Sequence, residues 1–468
     1  MYEPVIGIEI HVQLATRTKM FCGCELSFGE EPNTRTCPVC LAHPGVLPVT
    51  NAKAVHFGLM IGLALGCEIA PSSIFHRKNY FYPDSPKAYQ ISQYDIPLCT
   101  GGRLGDVRIH RVHLEEDAAK LVHAGGSGRI HGAASSVVDF NRCGTPLVEI
   151  VTEPDLRSAA EAADFGRLLQ ATLRRMGVSD VNLEEGSLRM DANVSIRPAG
   201  ETSFGTKTEL KNMNSFRFLE RGIEAEIARQ ERILAGGGTV EQETLHFDPQ
   251  SGALTSLRSK EEAHDYRYFP EPDLVPMAPT EEMVERARAA LPELPAERAD
   301  RLERELELPA DTAKLLAFRS DLGDFFEAAL SADRAHPRRL ANWTTNELIA
   351  AIGDRDPAGT RLQPADFARL VGLVADKQAS ASAALTALPA LIEQGTFDEA
   401  LLASEHMGED ELGEIVERAI ADNPDAVEKI RAGKGQAVGA IVGAVMRETK
   451  GRADGGDVQR LIREKLGA

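Results

Sequence analysis

The chain changes character near residue 291. Before it, short alternating patterns of apolar and polar residues are interspersed with many glycines and prolines, whereas the rest is rich in alanine, leucine, glutamate and arginine at helical spacing. A further boundary falls near 388–402, after which short helical segments are separated by turn-forming residues. This order predicts an α+β protein with an antiparallel-sheet domain over 1–291, a helical domain over 292–396 and a small helical tail over 397–468.

Two helices of the first domain have clear start signals. Ser158 and Glu161 match a capping box, in which the serine hydroxyl and the glutamate carboxylate bond free backbone N–H groups. Ser215 predicts the start of a second helix, which we expect to end at Gly236.

Four of the seven cysteines lie near the start of the chain, as Cys22, Cys24, Cys37 and Cys40. They form a C-x-C pair and a C-P-V-C pair joined by a segment rich in turn formers, a spacing that suits tetrahedral thiolate coordination of zinc. A disulfide framework is the alternative. The few cysteines in 468 residues and the lack of a secretory signal favour a reducing cytoplasm, and therefore a structural zinc ion.

Composition restricts the class of protein. No apolar run approaches the roughly 20 residues of a membrane span, so we expect no membrane segment. The formal net charge of −19 argues against general nucleic-acid binding, because phosphates attract lysine and arginine. From Lys429 to the end, however, nine Lys and Arg stand against four Asp and Glu, and such a local excess can bind RNA. A solvated helical face is the alternative.

Three strands of the first domain carry polar residues on one face. A strand points alternate side chains to opposite faces, so apolar residues at every second position leave the intervening ones on the other side. For any one strand, a sheet wetted on one side is a sufficient explanation. The polar residues are Glu9, His11 and Gln13 in the first strand, Arg189, Asp191 and Asn193 in the second, and Lys207, Glu209 and Lys211 in the third.

Two glutamates fit that explanation poorly. Glu116 lies in step with Leu114, and Glu149 lies in step with Leu147, where a solvated carboxylate is not expected. A buried carboxylate is costly unless it is paired or binds a metal. With His11 the two glutamates make a divalent-cation site plausible, although magnesium prefers oxygen ligands and a histidine would be unusual.

Eight motifs in order run from GIEIHVQL at 7–14 to DYRYFPEPDL at 265–274, and include HLEEDAAK, VDFNRCGTPLVEIVTEPDLRS and FGTKTELKNMNSF. Together they resemble the B subunit of the aspartyl/glutamyl-tRNA amidotransferases. The last part, GKGQAVGAIVGAVMRETKGRA, resembles the YqeY-like tail of that family. Each motif alone is weak evidence, but the ordered set is specific and spans essentially the whole chain. A distant relative, the archaeal glutamyl-only enzyme, has an inserted domain for which this chain has no apparent room.

The resemblance implies an ATP-dependent reaction on a misacylated tRNA. Glutamate or aspartate on tRNA(Gln) or tRNA(Asn) would be phosphorylated on its side-chain carboxylate, and ammonia from a partner amidase would displace the phosphate. Phosphorylation gives a poor electrophile a leaving group, while Mg²⁺ and cationic side chains stabilise the phosphoryl charge. The implied assembly is a cytoplasmic heterotrimer that also contains the amidase and a small third protein, and the implied cofactors are ATP, Mg²⁺ and structural Zn²⁺.

The resemblance also implies roles for particular residues. His11, Glu116 and Glu149 would hold magnesium, with Glu9 and Glu209 close by on a second cation or the nucleotide. For each basic residue taken singly, surface solvation is the alternative. The cations expected at phosphates are Lys78, Lys207 and Lys211, with Arg77 and Arg189 as weaker candidates. The expected tRNA contacts of the tail are Lys429, Arg431, Lys434, Arg447, Lys450 and Arg452.

The apolar positions of the tail predict a small core of its own, and a tail that only packs or solubilises is the alternative to RNA binding. The Gly433 to Gly435 segment predicts a turn that lets backbone approach RNA closely. The core positions are Val438, Ile441, Val442, Val445 and Met446.

Some features depart from the family pattern or are absent. Ala42 and Ala119 stand where the family usually has glycine. Ala119 is next to the predicted metal ligands, so the backbone there can differ in shape from that of the family. The zinc cysteines occur in only part of the family. The sequence has no G-x-x-x-x-G-K-[ST] motif, so a standard P-loop does not hold the nucleotide, and it has no amidase signature, so ammonia must come from a partner.

Two other functions fit parts of the sequence. One is a non-catalytic tRNA-binding scaffold with the tail as its main module, and the intact His11, Glu116 and Glu149 argue against it. The other is a stand-alone metallohydrolase built on the polar sheet, which a requirement for ATP and a partner protein would exclude.

Overall fold

The computed structural model describes residues 2–124, 135–211, 213–259, 266–396, 402, 409–431, 435–449, 453 and 455–467. The chain divides into two compact units, Met1–Leu294 and Pro295–Ala468. The first contains the sheets and the second is helical, which confirms the predicted α+β class. The predicted boundary between 396 and 397 adjoins residues outside the described part and stays a prediction.

Ten strands form the central sheet of the first unit, in which all pairs are antiparallel except the β12–β13 pair. They are β1 (Tyr2–Gln13), β2 (Glu68–Ile69), β5 (Cys99–Thr100), β6 (Arg103–Leu104), β7 (Val107–Glu116), β10 (Pro146–Thr152), β11 (Leu188–Pro198), β12 (Thr208–Lys211), β13 (Glu243–Phe247) and β14 (Leu254–Ser259). Their spatial order is β14-β13-β12-β11-β1-β10-β7-β5-β2, and β6 pairs with β7.

Two smaller sheets accompany it. One has the order β15-β3-β4 and the other pairs β8 with β9. Their strands are β3 (His76–Asn79), β4 (Tyr89–Ser92), β8 (Lys120–Ala124), β9 (Ser135–Asp139) and β15 (Phe269–Pro270).

The central sheet has one apolar face. Ile8, Ile10 and Val12 of β1 are buried, as the alternation in the sequence predicts, and they belong to one hydrophobic core with residues of the helices. Burial of such side chains stabilises the fold by about 25 cal/mol per Å² of apolar surface removed from water. The polar residues of the same strands are consequently left on the opposite face. The helices of this unit are α1 (Ala52–Ala64), α2 (Ala159–Arg175), α3 (Phe216–Ala235) and α4 (Glu281–Ala289).

Both predicted helix starts are confirmed. The Ser158 side chain accepts a hydrogen bond from the Glu161 N–H at 3.2 Å, while the Glu161 carboxylate accepts from the Arg157 N–H, one residue earlier than a capping box requires. The Ser215 side chain accepts from the Phe218 N–H at 3.1 Å, and α3 ends at Gly236.

The second unit is built from helices around two hydrophobic clusters. The predicted core of the tail is confirmed, since Val438, Ile441 and Val445 are buried while Val442 and Met446 pack against them half-buried. Among the described residues, no helix is both long and apolar enough to cross a membrane. The α-helices are α5 (Pro295–Leu306), α6 (Ala310–Phe318), α7 (Ser320–Ala332), α8 (Pro337–Trp343), α9 (Ile349–Ile352), α10 (Pro364–Ala375), α11 (Ala381–Gln394), α12 (Glu409–Ala421), α13 (Pro424–Arg431), α14 (Val438–Glu448) and α15 (Gly455–Leu466), with a π-helical turn at Thr344–Leu348 and 3₁₀ turns at Pro357–Gly359 and Gly435–Ala437.

Candidate functional site

Three neighbouring strands bring acidic and histidine side chains together on the polar face of the central sheet. In the register of β1, β10 and β7, His11 lies opposite Glu149, and Glu149 lies opposite His113. Opposed residues share a face, and Glu115, two positions beyond His113, shares it too. Ligand atoms of His11, Glu115 and Glu149 all lie within 4.8 Å of one another. We call these three residues the His–Glu cluster.

The contacts within the cluster are close and buried. The His11 Nε2 atom lies 3.3 Å from Glu149 Oε2 and 3.7 Å from Glu115 Oε1. His113 Nε2 lies 3.4 Å from Glu149 Oε2, and the Ser92 hydroxyl donates to Glu115 at 3.0 Å. His113, Glu115 and Glu149 are all buried. One imidazole and two carboxylates that converge in this way form a donor set that fits a divalent cation.

The electrostatics of the cluster favour its charged forms. Burial acts to raise the pKa of Glu149, but His113 and His11 outweigh it and hold that pKa well below its ordinary value. Burial acts to lower the pKa of His11, but Glu149 and Glu115 raise it on balance. Glu149 is therefore ionised at neutral pH, as a metal ligand must be.

Lys78, which the resemblance predicts as a phosphate-binding cation, lies on β3. Burial opposes its charge, but Tyr268, Glu115 and Glu149 together raise the pKa of Lys78 above its ordinary value. Its Nζ atom lies 5.0 Å from the centre of the Tyr266 ring. Lys78 is therefore a half-buried cation that interacts electrostatically with the two carboxylates, while its contact with phosphate stays a prediction.

Glu116 is not part of the His–Glu cluster, and this corrects the predicted ligand set. It is in step with Leu114 on the apolar side of β7, so its side chain points away from His11 and Glu149. There it forms an ion pair with Lys87 and accepts a hydrogen bond from the Ile91 N–H at 2.9 Å. Glu115 takes the third position instead.

Arg189 lies on the other side of His11. The register of β11 places it opposite His11, and its Nη2 atom lies 2.9 Å from a carboxylate oxygen of Asp117. Asp117 is buried and also accepts a hydrogen bond from Gln13 Nε2 at 2.7 Å. Burial raises the pKa of Asp117, but Arg189 and Arg142 bring it below its ordinary value. The guanidinium is thus held in place by an ionised carboxylate that the sequence patterns did not single out.

The remaining predicted residues divide into those on the polar face and those away from it. Glu9 accepts a hydrogen bond from Asn193 Nδ2 at 2.9 Å, next along the sheet from the His–Glu cluster. Lys211 Nζ lies 2.8 Å from Asp191 and 3.2 Å from the buried Glu209, so all three share the β11–β12 end of this face. Glu9, Glu209 and Lys211 are thus on the predicted face.

Lys207 and Arg77 lie elsewhere. Lys207 is exposed immediately before β12. The Arg77 guanidinium donates to both oxygens of Glu271, at 2.7 and 2.8 Å, and lies 4.3 Å from the centre of the Tyr89 ring. Arg77 therefore joins β3 to the segment after β15 and is not aimed at the cluster.

Two residues of the site, His113 and Glu115, were absent from the sequence-based prediction, although the alternation of residues along β7 already indicated them. Both alternate with Leu114, the buried apolar residue of β7, so they belong to the polar face. The run HLEED offers three adjacent acidic residues, and only the pairing of β7 with β10 decides which one faces His11.

The four cysteines form a second cluster, at the turn after β1. Their sulfur atoms lie within 4.8 Å of one another, and all four are free, so the structure does not adopt the disulfide alternative. Lys19 is buried with its Nζ atom 3.6 Å from Cys40 Sγ. A hydrogen bond from Cys22, with Lys19 assisting, lowers the pKa of Cys40 to about 4. Four convergent thiols with a cation beside them fit a structural zinc ion.

We expect one zinc ion per chain on Cys22, Cys24, Cys37 and Cys40, because structural zinc sites stabilise the loops that carry them. Metal analysis of protein purified without chelators should give one equivalent, and Cys24→Ser should lose most of it. Cys67→Ser, at a cysteine outside the cluster, is the matched control and should retain the metal. Absence of zinc from the wild-type protein would contradict the assignment.

Comparison with known families identifies the chain. Residues 4–285 match the GatB/GatE catalytic domain, and residues 324–466 match the GatB domain. The chain belongs to the family of aspartyl/glutamyl-tRNA(Asn/Gln) amidotransferase B subunits. Three relatives with that name are those of Frankia casuarinae (50% identical, over 100% of this chain and 96% of the relative), Moorella thermoacetica (47%, over 99% and 100%) and Persephonella marina (45%, over 99% and 99%).

Two alanines stand where the resemblance predicts glycine. Ala42 has a φ of 58°, the left-handed region in which glycine is unstrained, so alanine there costs stability. Ala119 is buried and is not among the described non-glycine residues with positive φ. The backbone beside the His–Glu cluster therefore accepts alanine without this strain.

The tail residues expected to contact tRNA are only partly described. Lys429 and Arg431 lie exposed in the last turn of α13, and Arg447 lies exposed in α14. Lys434, Lys450 and Arg452 lie outside the described residues, as does Gly433. The three described cations therefore remain available for the contacts predicted for this amidotransferase family.

Proposed function

We propose that this chain uses ATP to phosphorylate the side-chain carboxylate of misacylated Glu-tRNA(Gln), Asp-tRNA(Asn) or both, and then amidates it. The observation that carries the proposal is the His–Glu cluster together with the Lys78 cation, which interacts electrostatically with its two carboxylates. Buried carboxylates so close together repel one another and cost stability unless cations compensate them. Such an arrangement is typical of a site that binds a metal and phosphate.

The chemistry needs two displacements. A carboxylate oxygen of the substrate attacks the γ-phosphorus of ATP and ADP leaves, and ammonia nitrogen then attacks the acyl carbon and phosphate leaves. A divalent cation held by His11, Glu115 and Glu149 would supply positive charge opposite the transferred phosphoryl group. Lys78 and Arg189 would orient the phosphoryl oxygens. Asp117 would keep Arg189 in place.

The reaction also implies partners. The relatives are named as one subunit of an amidotransferase, which indicates a complex, and we propose the cytoplasmic heterotrimer with the amidase and a small third protein. The amidase would supply ammonia, because this chain carries no amidase signature. The exposed cations of the tail would bind the backbone of the misacylated tRNA, since phosphate contacts position a nucleic acid without reading its sequence.

The alternatives account for less. A non-catalytic scaffold would bear the cost of buried carboxylates around His11 without using them. A stand-alone metallohydrolase would use the cluster, but it would need neither Lys78 and Arg189 for a nucleotide nor a basic tail.

The deciding experiment measures ADP formation by the assembled complex with ammonium chloride as the nitrogen source. We expect ADP and amidated aminoacyl-tRNA to form together, only when ATP and the misacylated tRNA are both present. The correctly charged glutaminyl-tRNA is the matched control and should support no ADP formation. Binding of tRNA without ADP formation would favour the scaffold, and hydrolysis independent of ATP would favour the hydrolase.

A further inference from the structure

An aromatic cluster borders the His–Glu cluster on the side of the small β15-β3-β4 sheet. Tyr94 follows β4 and Tyr268 precedes β15, and the pairing of both strands with β3 brings the two rings together. The rings are stacked, with centroids 4.4 Å apart and planes 6° from parallel. The Tyr266 ring meets Tyr268 edge-on at 6.1 Å. We call Tyr94, Tyr266 and Tyr268 the tyrosine cluster.

The tyrosine cluster is directly connected to the proposed reaction centre. Ser92, two residues before Tyr94, donates the 3.0 Å hydrogen bond to Glu115. Lys78 lies over the Tyr266 ring and interacts with Tyr268 as well as with the two carboxylates. A group that lay on the tyrosine cluster would therefore be adjacent to the metal-binding carboxylates.

The stack is partly exposed to solvent, and the His76 ring meets Tyr94 in a T-shaped contact at 6.5 Å. Tyr94 is 41% exposed, and Phe269, next to Tyr268 in sequence, is 43% exposed. Large aromatic surface left in water beside a charged site is unfavourable unless something covers it. A flat aromatic ligand is the chemical class that such a surface takes, because a base stacks on an aromatic ring whatever its sequence.

The backbone holds the tyrosine cluster in place. Arg267, between the two tyrosines, has a φ of 46°, which a residue with a side chain rarely adopts. The Asn79 side-chain amide donates to the carbonyl oxygens of Tyr266 at 3.0 Å and Arg267 at 2.8 Å. A strained residue persists where its surroundings fix it, so the two rings are positioned before any ligand arrives. Arg267 itself is exposed and adds a cation at the rim.

The two sides of His11 differ in the kind of ligand group that they can bind. On the β11–β12 side lie the cations Arg189 and Lys211, which are paired with Asp117 and with Asp191 and Glu209. Cations and carboxylates together suit a triphosphate with its divalent cations, while the other side carries the tyrosine cluster. The carboxylate to be phosphorylated belongs to an amino acid esterified to the last nucleoside of the tRNA. That nucleoside must reach the reaction centre from outside, and the partly exposed tyrosine cluster offers its base an aromatic surface on the way.

We propose that the tyrosine cluster is the stacking site for the terminal adenine of the misacylated tRNA, with the exposed part of the Tyr94 ring against the base. This rests on the proposed function. Stacking there would fix the aminoacyl ester beside the His–Glu cluster for either amino acid, because it contacts the base and not the side chain that reacts.

The test uses the full-length chain in its complex and a tRNA whose 3′-terminal adenosine is replaced by 2-aminopurine riboside, whose fluorescence is quenched by stacking. We expect quenching with wild type and with Tyr94→Phe, and loss of most of it with Tyr94→Leu. Tyr94→Leu should also raise the KM for misacylated tRNA roughly tenfold or more, since stacking on an aromatic ring contributes substantially per base. The KM for ATP should change less than about twofold, because the substitution removes a contact with the tRNA and none with ATP.

The matched control is Phe204→Leu, an exposed phenylalanine beyond the far end of β11, roughly 30 Å along the strand from Arg189. It should leave the quenching and both KM values unchanged. Equal quenching in wild type and Tyr94→Leu would overturn the proposal. So would quenching of 2-aminopurine riboside triphosphate with a raised KM for ATP, which would assign the site to the nucleotide.

Failure of this inference differs from failure of the proposed function. If wild type forms ADP and amidated tRNA but does not quench the terminal 2-aminopurine, only the stacking site is wrong. If wild type binds the tRNA and quenches the probe but never forms ADP, the stacking site stands and the kinase step is wrong. Quenching by wild type needs no variant, so a misfolded Tyr94→Leu protein does not prevent the test.

Discussion

Replacement of Glu149 by glutamine is expected to abolish amidation even when free ammonia replaces glutamine as the nitrogen source. The change keeps the size of the side chain but removes the charge that faces His11 and His113 at 3.3 and 3.4 Å. Metal-ion catalysis contributes several kcal/mol to the transition state, so activity should fall on the order of 10³-fold or more. ADP formation with misacylated tRNA and ammonium chloride measures it directly.

Three further variants make that result specific. Glu115→Gln should cause a similar loss, whereas Glu116→Gln should leave metal affinity intact because Glu116 lies on the other face of β7. Glu153→Gln is the matched control, since Glu153 contacts His110 at 2.9 Å, four positions further along the chain and outside the cluster. The glutaminase activity of the partner should survive at least in part. Near-normal ammonia-dependent activity in Glu149→Gln would exclude the metal assignment.

Removal of the tail is expected to weaken binding of the aminoacyl-tRNA and raise its KM by roughly ten- to a hundredfold, with glutaminase activity retained. The slope of log K against log salt concentration reflects the number of phosphate contacts. Each contact that is lost should make this slope less steep by about 0.9. Leu402, within the predicted tail over 397–468, packs in the core of the middle helices, so truncation after residue 408 removes α12 to α15 without removing that contact. Binding measured across a salt titration is the appropriate assay.

Charge variants in the full-length chain separate RNA binding from folding. The combined substitution of Lys429, Arg431 and Arg447 by glutamine should lower affinity and reduce the salt slope. The control replaces Glu411, Glu414 and Glu428, three acidic residues of the same tail helices, by glutamine and should not weaken binding. If the truncated protein and the basic variant both bind as tightly as wild type at every salt concentration, the tail is not an RNA-binding element.

Much of the architecture could be predicted from local patterns because their causes are local. The Ser158 and Ser215 caps, the buried face of β1 and the small core around Ile441 each depend on spacing within one helix or strand. The cysteine cluster was predictable for a similar reason, since two short pairs joined by one turn can meet without help from the rest of the chain.

The site required information of another kind. Alternation along β7 assigns Glu115 and Glu116 to opposite faces, but the antiparallel pairing with β10 decides which of them meets Glu149. Asp117 gains its role from Arg189, far away in the chain. In each case the alternation of side chains along a strand specifies the face of the sheet on which a residue lies. Only the order and register of the strands specify which residue it contacts there.

The sequence by itself determined the family, the α+β class, the two faces of each strand and the clustering of the four cysteines. These features depend on motifs and on periodicities of two or 3.6 residues, which involve residues close together in the chain. Tertiary structure alone decided that Glu115 replaces Glu116 beside His11, and that Tyr94 stacks on Tyr268. These contacts join residues that are distant in the chain and come together only when β1 and β7 pair with β10, and β4 and β15 pair with β3. Their free energy comes from burial and charge in the folded molecule, and a linear pattern assigns a residue to a face of its strand without specifying which residue it will contact.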